Sequence, residues 1–285
     1  TAASWIEHAV HQGEAVQMPA LAALLGVTDR HLRRIFQAEH GVSPHAWLTT
    51  QRLLLAKQLL TDTALPVTQV ALASGFDSVR RFNAAFAAHY RLNPTQLRRQ
   101  GVRAPASDAP LRLAYRPPYD VHAVLGFFAQ RQVSVLEQVD EARLELRRTL
   151  AWRHRDQCLT GWLSARFVPE RHELHVHAAP SLAPVLGAVL QAVRQGLDLD
   201  ADPARIDPVL ARVPGPLRPG TRVPGVMDGF EGVVRVILGQ QVTVKAARTL
   251  TERLVLRFGS VVDMPWSGLT HVFLDAATLA AADPE

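Results

Sequence analysis

A chain of 285 residues with 48% hydrophobic content has the material for two or three compact domains, and no apolar run in it approaches the length of a membrane span. With no recognisable signal peptide either, the expectation is a cytoplasmic protein without a membrane partner. The formal net charge of +5 is unevenly placed: residues 1–103 hold 11 Lys+Arg against 6 Asp+Glu, whereas the remaining 182 hold 20 of each, so the whole surplus lies where it can meet phosphates.

Within that basic segment one pattern is written twice. The first copy runs Met18-Pro-Ala-Leu-Ala-Ala-Leu-Leu-Gly26-Val-Thr28, then His31-Leu-Arg-Arg-Ile-Phe36, then Gly41-Val-Ser-Pro44. The second runs Val67-Thr-Gln-Val-Ala-Leu-Ala-Ser-Gly75-Phe-Asp77, then Arg80-Arg-Phe82 with Phe86, then Arg91-Leu-Asn-Pro94. Leu32 and Phe82, Phe36 and Phe86, His40 and Tyr90, and Pro44 and Pro94 share an offset of 50, but Gly26 and Gly75 differ by 49. One residue has therefore been inserted in the second turn. Each copy reads as helix, glycine turn and second helix. Gly26 and Gly75 supply the positive φ of the turn, and Thr28 and either Asp77 or Ser78 cap the helix that follows.

On those second helices Leu32, Ile35 and Phe36, and Phe82 and Phe86, are expected to face inward. That leaves Arg30, Arg33 and Arg34, and Arg80, Arg81 and Asn83, as outward recognition surfaces. Arginine and asparagine can make paired hydrogen bonds to guanine and adenine edges. Two such units in one chain can enter successive major grooves about 34 Å apart without a dimer. Residues 44–60, with Trp47, Leu48, Leu53, Leu54, Leu59 and Leu60, read as a long helix holding the two units at fixed spacing. Residues 1–100 resemble the DNA-binding domain of AraC-type transcription regulators, including the closing Gly-x-Ser-Pro and Leu-Asn-Pro elements. That resemblance implies operator binding and contact with RNA polymerase.

Residues 101–110 have the small, proline-rich character of a linker. Beyond them, 111–115 alternate like a strand that Pro117-Pro118 stops, and 121–131 read as a helix. Residues 144–146, 159–167 and 173–177 read as further strands, the last two joined as a hairpin through Pro169-Glu-Arg-His172. Residues 182–197 return to helical spacing. Cys158, the single cysteine, excludes an internal disulfide framework and a cysteine-built metal site within the chain, and is expected as a buried, inert thiol. His172, His175 and His177 are expected as surface or packing residues, because metal binding needs a third ligand with second-shell support that this pattern does not offer.

From 202 to the end the pattern reads as helical. Asp228 with Glu231 has capping-box spacing, and Phe230, Val233, Val234, Ile237 and Leu238 form an apolar face. After the interruption Gly239-Gln240-Gln241, Thr243 caps a helix striped by Val244, Ala247, Leu250, Leu254 and Phe258 and closed by Gly259.

The stretches Tyr115-Arg-Pro-Pro-Tyr-Asp120 with Leu125-Gly-Phe-Phe128, and Val223-Pro-Gly-Val-Met-Asp-Gly-Phe-Glu231 leading to Arg235-Val-Ile-Leu-Gly-Gln-Gln-Val-Thr-Val244, resemble DNA-3-methyladenine glycosylases of the AlkA type over about residues 110–285. Joined to an AraC-type reader, the pattern is similar to fused Ada-AlkA regulators of the adaptive response to alkylation. The resemblance implies extrusion of alkylated purines from double-stranded DNA into a pocket. Phe127 then matches a pocket aromatic, whose electron-rich face favours a cationic base. Gln240 and Gln241 fall in the interhelical turn that plugs the vacated stack, with Gln241 at the wedge position where a leucine is familiar.

The family's Gly-x-Gly hairpin and its following catalytic aspartate do not occur. Asp228, Asp263, Asp275 and Asp283 sit at caps and in loops, so the chain reads as an internal fragment that excises no base by itself. No cofactor is expected in the chain, zinc belonging to a methyl-accepting domain that would lie upstream. The expected fold is mainly α with a small α+β domain: a tandem helix-turn-helix domain over 1–100, a linker over 101–110, an AlkA N-terminal-like α+β domain over 111–200, and the first part of a helix-hairpin-helix glycosylase domain over 201–285. The alternative is an AraC-type regulator whose C-terminal part only senses a ligand or DNA damage.

Overall fold

The computed structural model of the chain describes residues 1–11, 16–62, 65–101, 110–154, 157–215 and 218–283. The linker expected over 101–110 falls almost wholly outside them. The chain divides into two compact units, the first built from the N-terminal segment together with residues 183–191, the second from residues 110–153, 157–182 and 192 onwards.

In the first unit the helices are α1 (Ala2–His11), α2 (Met18–Leu24), α3 (Asp29–His40), α4 (Pro44–Asp62), α5 (Val67–Ala73), α6 (Val79–Tyr90) and α7 (Pro94–Gly101). The inserted residue is visible: α2 and α5 start 49 positions apart, but α3 and α6 start 50 apart and have 12 residues each. Thr28 and Ser78 cap them identically, each side chain accepting from the backbone N–H three residues on. Asp77 is not the cap. Gly26 and Gly75 turn at φ +68° and +78°, as the missing Cβ allows. Even the ring contacts repeat, Phe36 on His40 at 4.5 Å and Phe86 on Tyr90 at 4.7 Å.

The long α4 runs through this unit with Leu48, Leu53, Leu59 and Leu60 buried, and Ile6, Leu21, Phe82 and Phe86 are fully buried alongside. The expectation that Ile35 faces inward is corrected: it is 44% exposed, and on α4 Leu54 is 48% exposed. Ile35 sits one position off the Leu32–Phe36 face, and Leu55, not Leu54, fills the core position on α4.

Beyond the N-terminal segment, β1 (Leu111–Ala114), α8 (Val121–Arg131), β2 (Glu137–Asp140), β3 (Glu145–His154), β4 (Gln157–Val168) and β5 (Glu173–Ala178) are followed by α9 (Leu186–Gly196), whose first part is grouped with the first unit, and by α10 (Pro203–Leu210), α11 (Gly229–Leu238), α12 (Val244–Phe258), β6 (Ser260–Val261), β7 (His271–Val272) and α13 (Ala276–Ala280) of the second. Among the described residues β1–β5 form one sheet in the order β1-β5-β4-β3-β2, with β1–β5, β4–β5 and β2–β3 pairing antiparallel. The structure extends the expected strand at 144–146 to ten residues and adds β2. The segment expected to be helical from 202 onwards also contains the short β6–β7 hairpin. The 182–197 helix begins only at Leu186, after a 3₁₀ turn over Pro180–Val185.

The Tyr-Arg-Pro-Pro-Tyr stretch is structural. Tyr119 donates to the Leu197 carbonyl at 2.5 Å, and the buried Arg222 guanidinium lies 4.6 Å from its ring while donating to the Arg116 and Pro118 carbonyls. Asp120 caps α8 by accepting from Ala123 N–H. Cys158 is exposed on β4, which corrects the expectation of a buried thiol. His175 is buried against Glu173 at 2.9 Å, whereas His172 and His177 are exposed.

Candidate nucleic-acid interface and base cleft

All six outward residues expected on the two second helices are exposed: Arg30, Arg33 and Arg34 on α3, and Arg80, Arg81 and Asn83 on α6. Buried Leu32 and Phe36, and Phe82 and Phe86, anchor the opposite faces, so the presentation follows from the helical period. The two faces differ in how their cations are held. On α3, Asp29 pairs with Arg33 at 2.6 Å, and Arg34 contacts His31 Nδ1 at 3.0 Å. At the start of α6 the pair is a different one, Asp77 with Arg81, and it is loose, at 3.9 Å, with both partners largely exposed. Because the helices match at an offset of 50, Arg30 and Arg80 are equivalent, while Arg33 stands opposite Asn83 in the repeat.

The second unit contains a cleft of about 460 Å³ bounded by α8, the 224–228 loop, α11, the turn after it and α12. Phe127 lines it half-buried, one residue before the buried Phe128. The Arg131 guanidinium lies over the Phe127 ring, 3.9 Å from its centroid. Val226, Val236, Val242 and Val244 contribute apolar wall. Gln240 and Gln241 are exposed in the turn between α11 and α12, and Gln241 adopts φ +59°. Thr243 caps α12 by accepting from Ala246 N–H.

At the side of the cleft four charges that the sequence reading missed close a ring. Arg148 meets Glu137 at 3.7 Å and Glu231 at 2.7 Å; Arg235 meets both carboxylates at 2.8 Å. Local geometry explains the closure. Glu137 and Arg148 are direct cross-strand partners on β2 and β3, and Glu231 and Arg235 are one turn apart on α11. Both carboxylates and Arg148 are buried. Burial pushes the Glu231 carboxyl up, but Arg148 and Arg235 together outweigh that and hold it below the usual range. For Arg148, burial acts downward and Glu231 and Glu137 more than reverse it.

Glu231 therefore does not close a capping box. Asp228 caps α11 through Glu231 N–H, but the Glu231 side chain turns to the arginines. The missed signal was alternation: Leu146, Arg148 and Leu150 share one face of β3, and both leucines are buried, so an arginine between them calls for a buried partner. The apolar stripes of α11 and α12 are only half covered. Val234 and Val255 are buried with Phe273 and Leu274, whereas Val233 and Ile237 are 58% and 62% exposed. Val244 and Leu250 are likewise exposed. Asp275 caps α13 and pairs with Arg153, as a helix-start residue should.

Comparison with known proteins finds similarity in both parts of the chain. Residues 21–100 match the family model for a helix-turn-helix domain, and residues 110–228 match that for the AlkA N-terminal domain. The chain thus carries a region similar to a helix-turn-helix domain followed by one similar to the AlkA N-terminal domain. Similarity runs through the junction: a probable bifunctional transcriptional activator/DNA repair enzyme AlkA of Mycobacterium tuberculosis is 35% identical over 276 residues, 93% of this chain and 54% of that protein. DNA-3-methyladenine glycosylase 2 of Escherichia coli is 36% identical over 175 residues, 61% of this chain and 58% of its own length. The chain thus spans somewhat more than half the length of these two relatives. A solved AraC-type transcriptional regulator from Chromobacterium violaceum aligns with 31% identity, covering 35% of this chain and 87% of that one, at TM-score 0.33. Among the described residues no helix is long and apolar enough to cross a membrane.

Proposed function

We propose that this chain belongs to a bifunctional protein that reads promoter DNA through α3 and α6 and takes alkylated purines from double-stranded DNA into the Phe127 cleft for N-glycosidic hydrolysis. The observation that carries the reading is the 93% of this chain matched, across both domains, by a relative named for both activities. Physically, the exposed arginines and Asn83 suit base edges, and an aromatic-walled cleft beside an exposed glutamine turn suits an extruded base.

In this scheme Gln241 enters the gap left by the base and hydrogen-bonds the orphaned partner, a polar substitute for an apolar wedge. The aspartate that supports the sugar cation is supplied by sequence outside these 285 residues. Contact with RNA polymerase is part of the regulatory half of the proposal, and any zinc belongs to an upstream methyl-accepting domain. The test has two arms. Selection from random duplexes should enrich one sequence bound through both helices. Methylated DNA incubated with the protein translated from its whole reading frame should release 3-methyladenine, whereas the 285 residues alone release none. Absence of release from the whole protein would leave the sensor alternative in place.

A further inference from the structure

The helices α3 and α6 are built alike but do not carry the same side chains. Each starts from a hydroxyl cap, Thr28 or Ser78, runs 12 residues and ends on a left-handed residue, Gly41 or Arg91. A residue's place along the helix therefore fixes where it meets its own half-site. Arg33 and Asn83, 50 positions apart, share one such place, and both are exposed. What holds Arg33 decides what it can read. Asp29, one turn earlier, meets Arg33 Nη2 at 2.6 Å and offsets its charge, whereas the residue matching Asp29 on α6 is Val79. A guanidinium already neutralised has little to gain from a phosphate, but its remaining N–H groups stay in a fixed fork, the geometry that matches guanine O6 and N7. Asn83 has no charge to offer a phosphate. Its amide presents donor and acceptor side by side, the pair that matches adenine N7 and N6.

We propose that the operator consists of two unequal half-sites that differ at this place, guanine under Arg33 and adenine under Asn83, and that Asp29 is the positioning residue for Arg33. The inference rests on the reading of α3 and α6 as recognition helices and adds the bases that they discriminate. Holding Arg33 before DNA arrives removes part of the ordering cost of a long side chain. The carboxylate also repels the backbone, so Asp29 trades affinity for any duplex against discrimination at one base pair.

The test selects bound sequences from random duplexes with the 285-residue protein and with two swaps at exposed positions, Asn83→Arg and Arg33→Asn. The first swap should turn one adenine of the enriched sequence into guanine, the second should turn one guanine of the other half-site into adenine, and each should leave the remaining positions as they were. On fixed duplexes each swap should reverse a preference of about five- to 150-fold, the worth of one bidentate contact. Asp29→Ala should reduce the preference for guanine under Arg33 by about two- to tenfold while tightening binding to random duplex. Either swap alone is decisive. An enriched sequence that stays the same in both variants overturns the base assignment, as does an Arg33→Asn variant that weakens operator and random duplex equally and lowers the salt slope by about one, the mark of a phosphate contact. An unchanged guanine preference in Asp29→Ala overturns the positioning role. If the parent enriches no sequence at all, the reading of α3 and α6 as recognition helices falls and the inference with it.

Discussion

Arg33 and Arg80 show how much the surroundings of a side chain add to its type. Both are exposed on second helices, but Arg33 starts from a 2.6 Å pair with Asp29, whereas Arg80 has no ion pair among the described residues. Replacing either by Ala should weaken specific binding by about 1–3 kcal/mol if it reads a base edge, measured against random duplex of the same length. Equal loss on both duplexes would make it a phosphate contact. At Gln241 the conformation itself makes a prediction. A non-glycine residue at φ +59° is strained, so Gln241→Gly should raise stability by up to about 1 kcal/mol in a thermal melt. The same change should weaken binding to duplex carrying an abasic site. A glycine that stabilises without affecting that binding would show the glutamine to be only a turn residue.

Among the elements, α11 depends most on its partners. Its helix start was legible from Asp228, but half of its expected apolar face is exposed and its strongest tie is polar, through Glu231 and Arg235. Glu231→Gln should cost about 3–5 kcal/mol, because it leaves buried Arg148 without its nearest carboxylate. Urea unfolding of the second unit would measure it. The pH dependence has a definite sign. The folded-state pKa of Glu231 lies below its unfolded value, so its contribution is present above the ordinary carboxylate range and is lost as pH falls through the depressed value. Stability of the parent should therefore fall more steeply on acidification than that of the Gln variant; parallel curves would contradict the ring. In the first unit the turns carry the dependence, and Gly75→Ala should destabilise by about 1 kcal/mol or more. Its φ is +78°, and an added Cβ would lie 3.1 Å from Arg52 Nε.

Across the whole molecule, charge separates the two parts as clearly as fold does. The net surplus lies in residues 1–103, so DNA affinity should fall log-linearly with salt, with a slope of roughly −5 to −9 if about six to ten phosphates are met. A slope near zero would remove the electrostatic basis of the reader.

The tandem repeat was legible from the sequence because helix, turn and cap are each local. A glycine at positive φ, a hydroxyl three residues from an N–H and an apolar residue every third or fourth position need no distant partner to be recognised. For the same reason α8 and the β4–β5 hairpin were found with nearly correct bounds. What only the tertiary structure decided were relations between residues far apart in the chain. It paired β2 with β3, placed Arg148 between Glu137 and Glu231, exposed Cys158 and Ile35, and set Phe127 in the wall of a cleft beneath Arg131. Burial and ion pairing are properties of what lies across a gap, and a charged residue in a sequence carries no mark of the partner that will neutralise it.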